Sequence, residues 1–414
     1  MSSNRGSSSR VASERVVSNG DSSRGAGSTP VRLESRPDGV PPGTAAADVI
    51  ATDIAGLRGL VDAAGVADVD RALRAARPTP ADFAALLSRP AAERLEDLAR
   101  RAHETTVRRF GRTVRLFAPL YVSNECVSVC TYCGFSAVNE IARRTLSPAE
   151  LLDEARELKR RGFRHLLLVA GEHARLVSKD YLIECVRTLA PEVPSLSIEV
   201  QVWDTATYRR LVEAGCEGLV VYQEAYDRST YAAVHLKGKK RNYEWRLAAP
   251  DRGAEAGMRH LGIGALLGLH PDWRVEAIAV AAHARALVRR WWRCDVTVSL
   301  PRLRPAAGGF KARDPVDDRE FVQLLCALRI LLPDVAISIS TRESPAFRDA
   351  LVPLGVTQLS AGSHTEPGGY ASPSDAEAQF EISDTRSPAE VAGMLRRAGY
   401  DPVWIDTIGP RRST

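Results

Sequence analysis

The sequence predicts an α/β fold: a (β/α)8 barrel of the TIM type behind an N-terminal helical extension. Three observations carry this. The chain of 414 residues is long enough for a barrel of about 250 residues with extensions. From residue 113 onward, eight short β-rich runs alternate with helical stretches, the pattern of a parallel sheet with crossover helices. No segment repeats at a fixed period, which excludes repeat architectures. A hydrophobic fraction of 44% and a charged fraction of 26% suit a soluble globular protein. No apolar run approaches the roughly 18 residues of a membrane span, so no membrane association is expected. The net charge of +5 is small for this length. With no nucleic-acid-binding signature, nucleic acid is not an expected partner either.

Taken in order, residues 1–47 are Ser, Gly, Arg and Pro with few large apolar groups, and a disordered tail is expected. Its start, MSSNRGSSSR, lacks the apolar core of a secretion signal. It resembles an organellar transit peptide in its Ser and Arg content, but Glu14 and Asp21 interrupt it, and a cytoplasmic location is expected. Residues 48–112 form the helical extension, with Ile50, Ile54, Leu57, Leu60, Val61 and Val66 at mainly helical spacings. Thr79 and Pro80 read as N-cap and first turn of a helix whose apolar face is Phe83, Leu86 and Leu87, and a further helix covers 91–110. The barrel occupies 113–370, with strands at 114–122, 165–169, 196–200, 218–221, 262–266, 296–300, 336–339 and 356–359. Helices are expected at 148–161, 205–214, 275–290, 318–332 and 345–351. Residues 371–414 are a C-terminal extension. In such barrels the chemistry sits at the carboxyl ends of the strands.

The first strand ends directly before Cys126-x3-Cys130-x2-Cys133. A four-iron cluster ordinarily takes four thiolates, so three on one loop leave one iron open. That iron can bind the amino and carboxylate groups of S-adenosylmethionine (SAM) and pass an electron to its sulfonium. The radical chemistry then belongs to the cofactor. A structural zinc site wants four ligands in paired spacing, and no second CxxC or HxxxH follows nearby. Cys185, Cys216, Cys294 and Cys326 stand singly among apolar residues and read as core. Seven cysteines at irregular spacing are a poor disulfide framework and suit a reducing compartment.

The segments LFAPLYVSNECVSVCTYCGFS, LLLVAGEH, VVYQEAYDRSTYAAVHLKGKKRNYEWRL, GIGALLGL, SLPRLRPAAGG, ISISTRES and SAGSHTEPGGY follow in order from Leu116 to Tyr370. Through them the chain resembles the radical SAM tyrosine lyases that make 2-iminoacetate (dehydroglycine) for the thiazole of thiamin. The resemblance implies a (β/α)8 barrel, a [4Fe-4S] cluster, SAM, and L-tyrosine cleaved between Cα and Cβ to p-cresol and 2-iminoacetate. It further implies a thiazole synthase that receives the unstable imine, and an electron donor such as flavodoxin or ferredoxin. Tryptophan lyases of natural-product pathways are similar and differ mainly in the side-chain slot. A tyrosine-cleaving relative in hydrogenase-cofactor assembly has further cysteines near its C-terminus, whereas no cysteine follows Cys326 here. A non-catalytic iron–sulfur scaffold would keep the cysteines without polar strand ends.

The strand ends supply the other candidates. After the second strand, Gly171-Glu172 resembles the segment that meets the SAM amino group in radical SAM barrels, although Ala170 stands where a first glycine is usual. Gln201 and Glu224, after the third and fourth strands, suit ribose hydroxyls and amines. Tyr132 could lay its backbone against adenine or simply pack the loop. Gly262, Gly264 and Gly268 read as close approach to the adenosyl group or as strand packing. For the amino-acid carboxylate, Arg342, Arg302 and Arg304 are the candidate cations and Ser360 a candidate hydroxyl. Arg302 and Arg304 could equally form structural ion pairs. The basic run Lys237, Lys239, Lys240 and Arg241 is a solvated loop, or else a lid or docking surface.

Overall fold

In the computed structural model, residues 39–404 are described, and eight parallel strands close into a barrel. They are β1 (Thr113–Ser123), β2 (His165–Ala170), β3 (Ser195–Glu199), β4 (Gly218–Glu224), β5 (His260–Ala265), β6 (Asp295–Ser299), β7 (Ala336–Ile339) and β8 (Gln358–Ser360). Each pairs with its successor, and β8 returns to β1 in the register Arg115↔Gln358, Leu116↔Leu359 and Phe117↔Ser360. All eight expected strands are present, with ends displaced by a few residues. Consecutive apolar positions such as Leu166, Leu167, Leu168 and Val169 are buried, because inward side chains fill the barrel and outward ones meet helices.

The surrounding helices start on strong local signals. Ser147 and Glu150 close a capping box at the head of Pro148–Arg160, and Asp317 and Glu320 do the same for Asp318–Leu331. Pro148 and Pro345 occupy first turns, where a missing N–H costs nothing. Helices Thr205–Ala214, Trp273–Arg290 and Pro345–Leu351 stand where expected, and Lys179–Leu189 and Ala249–Ala256 complete the outer layer. Cys185, Cys216 and Cys326 are buried and Cys294 partly so. Among the described residues no helix is long and apolar enough to cross a membrane.

A first helix starts ahead of residue 48, at Ala45. Thr44 caps a helix at Ala45–Ile50, and the Asp251 carboxylate accepts from the Ala45 and Ala46 amides at 2.8 and 3.1 Å. The rest of the expected tail, residues 1–38, lies outside the described residues. Thr79 and Asp82 form the cap of Pro80–Leu86, and the long helix Leu95–Phe110 packs against Asp318–Leu331.

The segment after residue 370 returns to pack against the barrel. A short strand, Asp401–Val403, pairs in parallel with the start of β1, and helix Pro388–Arg397 packs beside it. Between these and β8, Asp384 forms an ion pair with Arg348, both 0% exposed, and Arg386 bridges Asp384 to Asp349. Removing one partner of a buried pair leaves the other charge unsolvated. Asp384→Ala is therefore expected to cost about 3–5 kcal/mol in denaturant unfolding. A loss below about 1 kcal/mol would show that the pair does not hold this segment in place.

Candidate active site

The three thiols sit on the loop leaving β1, and that loop is held from every side. Arg143 donates to the carbonyls of Asn124 and Ser136 at 2.7 and 2.9 Å, tying its two ends together. Asn139 donates to the carbonyls of Cys133 and Gly134. Cys130 lies in a two-residue strand, Val129–Cys130, paired antiparallel with His235–Lys237. At Gly171 an added Cβ would come within 2.4 Å of the Glu125 carbonyl, so only glycine lets the end of β2 pass beneath Cys126. The demanding position of that turn is thus Gly171, and Ala170 is tolerated. At Gly134 an added Cβ would meet the Gln379 carbonyl at 2.4 Å, and the Gln379 amide reaches the Cys133 sulfur at 3.7 Å.

Beside the loop a cavity of about 110 Å³ opens at the carboxyl ends of the strands. Cys133, Tyr132, Glu224, Arg304, Arg342 and Ser360 line it. Five other wall residues escaped the sequence reading: Tyr121, Glu199, Tyr222, Gln379 and Phe380. Phe117, Leu167 and Tyr222 form its floor, since they also line a second cavity on the amino side of the barrel. Gly264 serves this wall: a Cβ there would strike the Tyr222 ring at 2.8 Å and the Ser299 carbonyl at 2.0 Å, which makes it a packing glycine.

Opposite charges are buried together here. Glu172 accepts from the Ser128 hydroxyl at 3.0 Å and from Arg246 at 3.4 Å, while its backbone carbonyl holds the Val127 amide at 2.8 Å. Glu224, whose φ of 71° is the sole positive value among described non-glycine residues, pairs with Lys240 at 2.8 Å. Burial opposes the Glu224 charge, but Lys240 and Arg246 outweigh it and hold the carboxyl below the usual range. Lys240 therefore departs from the solvated-loop reading, whereas Lys237, Lys239 and Arg241 are exposed.

Three candidates are not among the residues that line the cavity: Glu172, held by Ser128 and Arg246 beneath the cysteine loop, Arg302 and Gln201. Arg302 does not line the cavity: Glu343 and Asp318 take up its guanidinium, and the Val316 carbonyl accepts from it as well. Gln201 is turned away, donating to the Val177 carbonyl at 2.6 Å; β3 ends two residues earlier, so Glu199 faces the cavity instead. Tyr132 buries its ring against Val234 and Leu266, with its hydroxyl 2.9 Å from His235. Arg304 donates to Ser383 at 2.6 Å. Ser360 accepts from the Thr341 amide at 3.2 Å. The Arg342 guanidinium stacks 3.4 Å over the Phe380 ring, and among the described residues no carboxylate forms an ion pair with it.

The donor set suits an iron–sulfur cluster. Among the described residues no three His, Cys, Asp or Glu side chains gather tightly enough for a single metal ion. A cluster asks for another arrangement, with each thiolate on a different iron, and Cys133 faces the cavity at the strand ends.

A three-thiol loop at the carboxyl mouth of a parallel barrel defines the radical SAM class. Residues 120–281 match the Radical SAM superfamily, and 299–401 match the Biotin and Thiamin Synthesis associated domain. The 2-iminoacetate synthase of Escherichia coli (strain K12) is 46% identical over 340 residues, 82% of this chain and 90% of that protein. The 2-iminoacetate synthase of Salmonella typhimurium is 45% identical over the same shares. The [FeFe]-hydrogenase maturase HydG from Carboxydothermus hydrogenoformans superposes with a TM-score of 0.80 at 31% identity, covering 88% of this chain and 86% of that one. The chain belongs to the 2-iminoacetate synthase family.

Burial, and then the nearby Glu224 charge, push the Glu199 carboxyl up to about 7 from an ordinary 4.5. Between those two values the folded state holds a proton that the unfolded state has released, so stability falls as pH rises through that window. Glu199→Gln is expected to remove this slope and gain stability on the parent above about pH 7. Parallel stability–pH curves for the two proteins would remove Glu199 from the titrating groups of the cavity.

Proposed function

We propose that this protein is a radical SAM carbon–carbon lyase that cleaves L-tyrosine to 2-iminoacetate and p-cresol. The observation that carries the reading is the cavity itself, which Cys133 lines together with Arg342, an arginine with no carboxylate partner among the described residues. Cys126, Cys130 and Cys133 hold the [4Fe-4S] cluster. With SAM bound, that cluster supplies the electron that releases a 5′-deoxyadenosyl radical, methionine being the co-product. Glu172 orients the SAM amino group, with Arg246 and Ser128 fixing the carboxylate. Glu224 and the backbone at Tyr132 meet the nucleoside part.

Arg342 takes the tyrosine carboxylate, supported by its burial, which favours an anion beside it, and by the Ser360 hydroxyl in the same wall. Glu199 meets the phenol hydroxyl, supported by its place in the cavity and by the absence of a hydrogen-bond partner among the described residues. Gln379 and Phe380 cover the site and exclude water, which suits a radical reaction. The imine hydrolyses readily, so a thiazole synthase is the fitting acceptor, and a reducing cytoplasm the fitting location.

The decisive experiment is anaerobic reconstitution with iron and sulfide, followed by SAM, dithionite, and tyrosine or tryptophan in separate reactions. p-Cresol and 5′-deoxyadenosine from tyrosine are expected, and Cys130→Ala should abolish iron–sulfur absorbance and SAM cleavage together. An indole product from tryptophan alone would move the protein to the tryptophan lyases. Two variants separate the ends of the substrate. Arg342→Ala should spare the cluster and raise KM for tyrosine by about 10- to 100-fold, the loss of one charged hydrogen-bond pair. Glu199→Ala should instead narrow the preference for tyrosine over phenylalanine by at least about tenfold. An unchanged preference would take Glu199 off the phenol.

A further inference from the structure

Nine large apolar side chains stand exposed among the described residues, and four of them surround the cysteine loop. Val127, Val138, Leu176 and Leu236 are between 39% and 68% exposed. Hydrogen bonds make their three loops one surface. The Val127 amide donates to the Glu172 carbonyl, and Leu176 follows four residues later. The Ala137 amide, next to Val138, donates to the Ser128 carbonyl. Strand pairing sets Val129 opposite Lys237 and Cys130 opposite His235. Between these, His235 turns inward to Tyr132, so Leu236 points out. Gly238 lies so close to Ser128 that a Cβ would come within 2.2 Å of its hydroxyl oxygen. The loop 235–241 is therefore laid directly on the cysteine loop.

Its charges divide by direction. Lys240 turns in to Glu224, while Lys237, Lys239 and Arg241 remain exposed beside Leu236. Exposed apolar side chains beside a cluster of cations suit a protein docking face, and the cations of 237–241 favour an acidic partner.

We propose that this face, Val127, Leu176 and Leu236 with the rim of Lys237, Lys239 and Arg241, docks a small acidic one-electron carrier protein. The inference rests on the cluster reading above. A cluster on these thiols must be reduced from outside, and this face is built on the loop that holds them. Docking here leaves the substrate cavity, lined by other residues, free for tyrosine and for release of the imine. The rim steers the carrier in, and the apolar centre retains it.

The test uses the reconstituted full-length protein and purified acidic flavodoxin. Binding is measured by titration calorimetry at low and at about 0.5 M salt, where the Debye length shrinks to a few ångströms. The parent should bind more weakly at high salt. Lys237→Glu combined with Lys239→Glu, and separately Leu236→Asp, should each weaken binding at least about tenfold. Flavodoxin-driven formation of 5′-deoxyadenosine should fall in parallel, while dithionite-driven formation keeps the parent rate. Parent-like affinity in both variants would overturn the assignment. So would variants that keep flavodoxin but lose thiazole synthase, since the face would then belong to that partner. If dithionite gives no 5′-deoxyadenosine even with the parent, the cluster reading itself has failed, independently of the affinities.

Discussion

The register in which β8 closes on β1, with Phe117 opposite Ser360, is the constraint on which the rest depends. Parallel strands cannot be joined by tight turns, so each needs its crossover helix, and eight such units curl until the last strand meets the first. That closure brings residues some 200 positions apart in sequence to one rim. The cysteine loop leaves β1, Arg342 follows β7, Ser360 ends β8, and all face the same cavity. A barrel open between β8 and β1 would keep every local element and lose the site. The segment beyond residue 370 reinforces the seam: Asp401–Val403 adds to β1, and the buried Arg348–Asp384 pair anchors the approach.

The site combines buried charge with exact-fit glycines rather than with apolar packing. Glu172, Arg246, Glu224 and Lys240 would each be costly to desolvate alone, and their mutual attraction offsets that cost only because their positions are fixed. Fixing comes from backbone contacts with no room for a methyl group, at Gly171 against Glu125 and at Gly134 against Gln379. The left-handed backbone of Glu224, at the irregularity where β4 leaves its register with β5, belongs to the same economy of strain at a functional position. Arg342 and Glu199 differ from these paired groups. Each faces the cavity with no ion pair among the described residues, a state that favours a ligand able to supply the missing charge or hydrogen bond.

Much of this was legible along the chain, because its signals are local. Period-two and continuous apolar runs mark the strands, Ser147-x-x-Glu150 and Asp317-x-x-Glu320 mark helix starts, and Cys126, Cys130 and Cys133 are close enough in sequence to declare a cluster loop. What failed to read were facts of direction. Gln201 and Glu199 both lie near the end of β3 and differ by an even number of residues, so alternation alone cannot separate them. The strand ends at Glu199, and Gln201 has already turned to the Val177 carbonyl. Arg302 and Arg304 are likewise indistinguishable in sequence, and only the position of Glu343 decides that Arg302 is occupied. Within the basic run nothing local marks Lys240 as the one that turns inward.

The sequence by itself determined the class of fold, the order of its elements, the thiol loop and the reach of the family resemblance. Each of these depends on residues within one helical turn, one strand or one loop of each other. The tertiary structure decided which charges are paired and which are left facing the cavity. It also brought Gln379, far along the chain, to the third thiol and Phe380 to Arg342, and made one exposed face of three separate loops. Burial and electrostatic partnership are properties of position in space, set here by barrel closure, and no local pattern encodes them.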